Sequence, residues 1–433
     1  MQHRPDSPAT LHGSPQQALH APSDRARLVP LMLATMVSQA LLVVLAPTIV
    51  AIGADLGASV SAVGQARSIT AGMAIAASVA IASRIDTVAT SRLLFLGAVF
   101  AIVGCATVAA APTLAAFLLA HLLVGIALAC LLSAGFAGVA GFAQDRRAWA
   151  IGYVAGANAL AWIVVTPIVG TVADRLSWRA AQAVPAAIGL AALVAAPAAT
   201  SAPSGPAAPR LRSAFSRRSA RRWIGAELMA YGAWTALLTF VGAFFIERLA
   251  VRETLVGWLL AAGAAAYFAA STRLARITDA IPRRQLVAAV ALLMSILFIV
   301  QLNVIGSAAF ATGIFCLLGL AAGLRTPASS GLGLEQLPDH PGAMMAARTA
   351  ATQLGYLLGG VIGGAVIAGA GYGTLGIVLA AGMAASAALI LRVDDPLEAE
   401  TRPAGRVDVA PAPAVRHHDP HRMSCDRSLA NLT

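Results

Sequence analysis

Long apolar stretches, broken by short polar ones, run almost the length of this chain. A helix that crosses a bilayer needs roughly 20 mostly apolar residues. Twelve stretches meet that need: 28–52, 58–82, 93–111, 114–141, 148–172 and 180–199, then 223–246, 254–272, 285–304, 307–330, 343–369 and 373–391. They are too long for strands, and their alternation is too weak for a barrel. Only Pro112 and Thr113 separate the third from the fourth. Between the two sets of six lies SAPSGPAAPRLRSAFSRRSARR, which opens with Pro and Gly breakers and carries Arg210, Arg212, Arg217, Arg218, Arg221 and Arg222. The pattern predicts an all-α membrane protein of twelve transmembrane helices in two six-helix bundles. Its divisions are a disordered tail over 1–27, a bundle over 28–200, a basic hinge over 201–222, a second bundle over 223–392 and a disordered tail over 393–433.

Composition agrees: 58% of residues are hydrophobic and 11% charged, too few charges to cover a soluble protein of 433 residues. The net charge of +11 comes from arginine alone, since the chain has no lysine. These arginines fall between apolar stretches, not on one face with interleaved aromatics, so nucleic acid is not an expected partner. They fit the positive-inside bias instead. With both ends inside, the inner loops hold Arg84, Arg92, Arg146, Arg147, the hinge arginines, Arg273, Arg276, Arg283 and Arg284. The outer loops hold Arg175, Arg179, Arg248 and Arg252. A multi-pass monomer in a plasma (inner) membrane is expected, with both termini cytoplasmic. Met1 to Arg27 lacks the pattern of a secretory signal. Cys105, Cys130, Cys316 and Cys425 have neither framework nor metal spacing. His417, His418 and His421 either bind a metal or belong to a solvated low-complexity run.

The two halves repeat at a shift of about 195 residues, which lays stretch 1 on stretch 7 and stretch 5 on stretch 11. ASRIDTVATSR (82–92) follows stretch 2, and ARITDAIPRR (275–284) follows stretch 8. Tandem six-helix halves with basic loops at matching places are the mark of a transporter built from repeats. Here the chain resembles the major facilitator superfamily, from about Leu28 to Arg392, with two halves related by a pseudo-twofold. The family's loop pattern, Gly-x-Leu-Ala-Asp-Arg-x-Gly-Arg-Arg, is carried as Asp86 and Arg92, and as Asp279, Arg283 and Arg284. The resemblance implies that these charges lock a conformational gate. Otherwise they simply mark an inner loop. Thr166-Pro167-Ile168-Val169-Gly170 resembles the Gly-Pro-x-x-Gly of the family's exporters, with Pro167 kinking the helix and Gly170 permitting close packing. His121-Leu122-Leu123-Val124-Gly125 is similar to the family's Arg-x-x-x-Gly. His121 then either relays protons or is a neutral histidine bonded to a neighbouring helix.

Ionisable groups inside spans are costly and therefore functional candidates. Glu227 shares a face of stretch 7 with Tyr231 and Trp234, and Arg325 lies in stretch 10. The resemblance implies that stretches 1, 4, 7 and 10 line a central cavity. Glu227 and Arg325 then form a charge pair or a proton and substrate switch there; alternatively Glu227 snorkels to the interface beside Arg222. Arg67 is expected to pair with Asp55. Gln39, which the shift lays on Trp234, and Asn158, laid on Gln353, either face the cavity or join helices. No paired carboxylates, Cys/His/Asp cluster or Walker-type lysine loop is present, so neither an enzyme nor ATP-driven pumping is expected. The expected function is proton-coupled efflux of a small organic compound, an antiport needing no cofactor. The alternative is an uncoupled facilitator or importer of a small metabolite and, more distantly, a membrane-embedded enzyme or a transporter-derived sensor.

Overall fold

The computed structural model describes residues 24–82, 88–199, 214–273, 281–304, 306–338 and 341–395. Helix α1 runs Asp24–Val43 and continues, after a turn at Val44, as Leu45–Leu56. Pro47 explains the break, because it has no N–H to return to Val43 and its ring crowds that carbonyl. There follow α2 (Val60–Ala82), α3 (Thr90–Ala110), α4 (Leu114–Ala137), α5 (Gln144–Arg175) and α6 (Trp178–Ala198). The second set is α7 (Arg218–Leu249), α8 (Glu253–Arg273), α9 (Arg283–Asn303) and α10 (Ala308–Glu335). Pro341–Ile390 completes it, divided at Gly371 into α11 (341–370) and α12 (372–390). Gly371 has φ 76°, a conformation open to glycine and strained for other residues. Among the described residues ten helices are long and apolar enough to span a bilayer, the last being α11 and α12 together. Helix α2 is long enough, but Gln65 and Arg67 lower its hydropathy. With the division at Gly371 this gives the twelve expected spans.

Two boundaries differ from those read in the sequence. Arg218, Arg221 and Arg222, assigned to the hinge, form the first turns of α7, and α1 begins at Asp24 within the stretch read as a tail. Polar first turns extend a helix beyond its apolar part, which a hydropathy count alone misses. The short break at Pro112 is real: Ala111 is extended, as a residue before proline must be, and the Thr113 side chain caps α4 at Ala116 N (3.3 Å).

Each half packs alike. In the first, α2 and α3 lie on α4, α3 on α6 and α1 on α5. In the second, α8 and α9 lie on α10, and α7 and α9 on the α11–α12 segment. The halves meet along two seams, α2 with α11 and α5 with α8, and form one compact unit. The seams are copies of each other. A Cβ on Gly170 of α5 would strike Glu253 O and approach Gly257 of α8, while one on Gly364 of α11 would strike Gln65 and Ser61 O of α2. The offsets 170→364, 61→253 and 65→257 are 194, 192 and 192 residues. Between the seams, Ala46 O of α1 lies against Gly242 of α7, 196 residues apart. Polar clamps repeat too: Trp178 and Arg179 bond Asp55, and Tyr372 bonds Glu247 (2.7 Å). A pseudo-twofold therefore relates the halves.

These close approaches lie at the end away from the hinge, here the far end. Three hydrogen bonds cross there as well: Arg252 Nη2 and Thr254 Oγ1 to Asp174 (2.8 and 2.7 Å), and Gln65 Nε2 to Gly360 O (3.3 Å). Toward the hinge end the packing loosens. Gly152 and Gly156 of α5 have nothing within 4 Å of a Cβ, and Ile151, Gly152, Tyr153 and Ala155 are exposed around more than one face. The seams are tight at the far end, and α5 packs more loosely toward the hinge.

Candidate functional site

Gly232 of α7 packs on Gly355 and Gly359 of α11, so these two backbones run in contact. Tyr231 adjoins Gly232, and Glu227 stands one turn nearer the hinge than Tyr231, on the same side of α7. The close crossing puts Arg348 of α11 within reach of both. Its Nε donates to Glu227 Oε2 (3.0 Å) and its Nη2 to the Tyr231 hydroxyl (2.6 Å). From the other side α10 supplies Arg325 and, one turn on, Ser329. Arg325 Nη2 and Ser329 Oγ both donate to Glu227 Oε1 (2.8 and 2.9 Å). Helix α12 adds Ser386, which accepts from Arg325 (3.3 Å) and donates to Ala226 O (2.8 Å). Glu227 is 0% exposed, and Arg325 is 4% exposed. A carboxylate this deep is tolerable only because two cations and a hydroxyl replace its water. Arg348 is 20% exposed, so this cation alone of the three charges still meets solvent. Beside Arg325, a cavity of about 20 Å³ between Tyr231, Trp234, Met294 and Met383 has room for one water.

The structure thus brings Glu227, Arg325 and Tyr231 together and buries the carboxylate. Arg222 does not meet it; that side chain donates to Arg392 O (2.8 Å). Arg348 was missed in the sequence, although it lies five residues inside stretch 11. Arginines near inner ends were counted as markers of orientation, and the rule that a charge within a span needs a partner would have found it.

Trp234 is half-buried on the face of α7 that carries Tyr231. Gln39 belongs to the other half, where its Oε1 accepts from Trp162 Nε1 (3.0 Å) and joins α1 to α5. Asn158 is half-buried on α5, and Gln353 is buried on α11, its Oε1 without a partner among the described residues. His121 Nδ1 lies 2.8 Å from Phe117 O of its own helix, with the two rings 4.5 Å apart. It sits two turns from the far end of α4, whereas Glu227 sits near the hinge end of the opposite half, so the two are not brought together. Arg67 and Asp55 do not pair, because Asp55 is held by Trp178 and Arg179. Arg67 instead donates to Leu42 O (3.0 Å).

Of the loop charges, Asp86 and Asp279 lie outside the described residues. Arg92 is exposed. Arg283 pairs with Glu335 at the end of α10, and the Arg284 backbone N–H donates to Asp395 (2.8 Å). Thr166, Pro167 and Gly170 form the α5–α8 crossing, where a Cβ on Gly257 would strike Thr166 O and Pro167 Cα.

A duplicated twelve-helix bundle, closed at one end of its seam and carrying a buried charge cluster beside it, has the architecture of a membrane transporter. The model of the Major Facilitator Superfamily matches residues 31–226 and again 223–421, one match per half, and the chain belongs to that family. No curated protein matches it. Among solved structures, the fold is similar to that titled "Crystal structure of D-xylose-proton symporter", with TM-score 0.68 and 14% identity over 85% of this chain and 97% of that one.

Proposed function

We propose that this chain is a proton-coupled secondary active transporter of a small organic compound, working by alternating access from a cytoplasmic membrane, with the hinge end in the cytoplasm. Its two bundles rock about the paired seams, and Glu227 is the group that gains and loses the proton. The observation that supports this best is the carboxylate at zero exposure, shared by arginines from two other helices beside a seam that packs tightly at one end. Rearrangement of those helices changes the number of cations on Glu227, and so its hold on a proton. The expected efflux rested on Thr166–Gly170. Those residues form a glycine-dependent crossing that either direction of transport uses, so direction rests on flux measurement. Purified protein in liposomes with a trapped pH dye supplies the test. Protein-dependent proton flux is expected on adding a transported member of a solute library, and Glu227→Gln abolishes that flux while solute exchange persists. Proton flux of full size in Glu227→Gln would remove Glu227 from the coupling.

A further inference from the structure

The interior of this bundle carries more positive charge than it neutralises. Arg325 and Arg348 share the single carboxylate of Glu227. Arg67 of α2 is 4% exposed, has no carboxylate partner among the described residues, and leaves its buried Nε without a hydrogen bond. Three guanidiniums against one carboxylate leave two positive charges. Such an excess is expensive within a bilayer and marks a place where charge is used.

The charges are connected across the seam. The Arg67 guanidinium lies 5.7 Å from the ring centre of Tyr356 on α11. Tyr356 meets Tyr231 edge-on at 6.3 Å, and the Arg348 guanidinium lies 5.5 Å from the Tyr231 ring. One arginine from each half therefore flanks a pair of tyrosines. Tyr231 accepts from Arg348, so its own O–H remains a donor. Guanidinium forks suit carboxylate or phosphate oxygens, and tyrosine rings suit an apolar body.

We propose that the transported solute is a small organic anion. Its carboxylate or phosphate meets Arg348, its body lies on Tyr231 and Tyr356 toward the positive charge of Arg67, and a proton travels with it on Glu227. When the anion draws Arg348 from Glu227 Oε2, that oxygen takes a proton from water on the exposed side of Arg348. One negative and one positive charge enter together, so the excess of two is unchanged in the loaded site. Anion and proton therefore bind cooperatively and move in the same direction.

This inference rests on the transporter reading above, and its test separates the two. The detergent-purified protein is titrated with benzenesulfonate, phenyl phosphate and citrate, alongside benzyltrimethylammonium and benzyl alcohol, with thermal stability and tryptophan fluorescence as readouts. At least one anion is expected to stabilise the protein, more strongly at lower pH, and the cation and alcohol are not. Arg67→Gln and Arg348→Gln each weaken that binding by about tenfold or more, while Arg67→Lys restores part of it. A merely structural Arg67 would change stability without changing charge preference. If no anion binds, or if the preference for anions survives both glutamine variants, the inference fails. Gradient-driven flux of a neutral or cationic solute would then leave the transporter reading standing, whereas absence of any coupled flux would remove that reading as well.

Discussion

Replacing Glu227 by glutamine leaves Arg325 and Arg348 without a counter-charge, but not equally. Among the described residues Arg325, 4% exposed, has only Ser386 left, whereas Arg348 at 20% can recruit water. Removing one partner of a buried ion pair costs about 3–5 kcal/mol, and an uncompensated arginine in mid-bilayer about 2.5–3.5 kcal/mol on insertion scales. Most of the loss should therefore sit on Arg325. Glu227→Gln is expected to cost about 3 kcal/mol, a fall in Tm of about 6–12 °C for a bundle of this size. Adding Arg325→Met, an apolar side chain of similar length, should return at least half of that loss. Adding Arg348→Gln instead should return clearly less. Thermal unfolding of the four proteins in one detergent is the assay. A neutral Glu227→Gln, or equal recovery from the two second changes, would refute this division of the charge cluster.

Other outcomes follow from the packing. Gly242→Val drives a side chain into Ala46 O and should open the far end, read as faster labelling of a cysteine placed at Val256, which is 0% exposed. Gly152→Ala, which meets nothing, should leave that labelling unchanged. Ala250 ends α7 at φ 53°, so Ala250→Gly should stabilise the protein by up to about 1 kcal/mol in thermal unfolding. Arg252→Ala removes an ion pair whose arginine is 80% exposed; its effect should stay below about 1 kcal/mol and shrink with added salt.

The membrane spans were legible because a bilayer demands length and apolarity of each helix, and the composition shows both. The duplication was legible from a shift of about 195 residues, and the structure repeats it in backbone contacts and polar clamps. Glu227 and Arg325 stand out as charges in apolar stretches, and the family resemblance sets them on helices that line one cavity, with snorkelling beside Arg222 as the alternative for Glu227. Arg348 did not, because a cation near a span end looks the same whether it marks the interface or turns inward. Arg67 was paired with the nearer acid in the sequence. Nothing in the sequence shows that Trp178 and Arg179 reach Asp55 first. The glycines of α11 form two packing surfaces: Gly355, Gly359 and Gly363 face α7 in their own half, while Gly360 and Gly364 face α2 across the seam. Only the fold shows which glycines hold a bundle together and which lie between the moving parts.

Spin-label distances in liposomes test the rocking of the two bundles most directly. One pair replaces Leu176 and Leu255 near the far end of the α5–α8 seam, and another replaces Ile151 and Thr349 toward the hinge end. Two populations are expected, in which the far-end distance lengthens as the hinge-end distance shortens, with the balance shifted by pH and lost in Glu227→Gln. A single fixed distance for both pairs at every pH would contradict it.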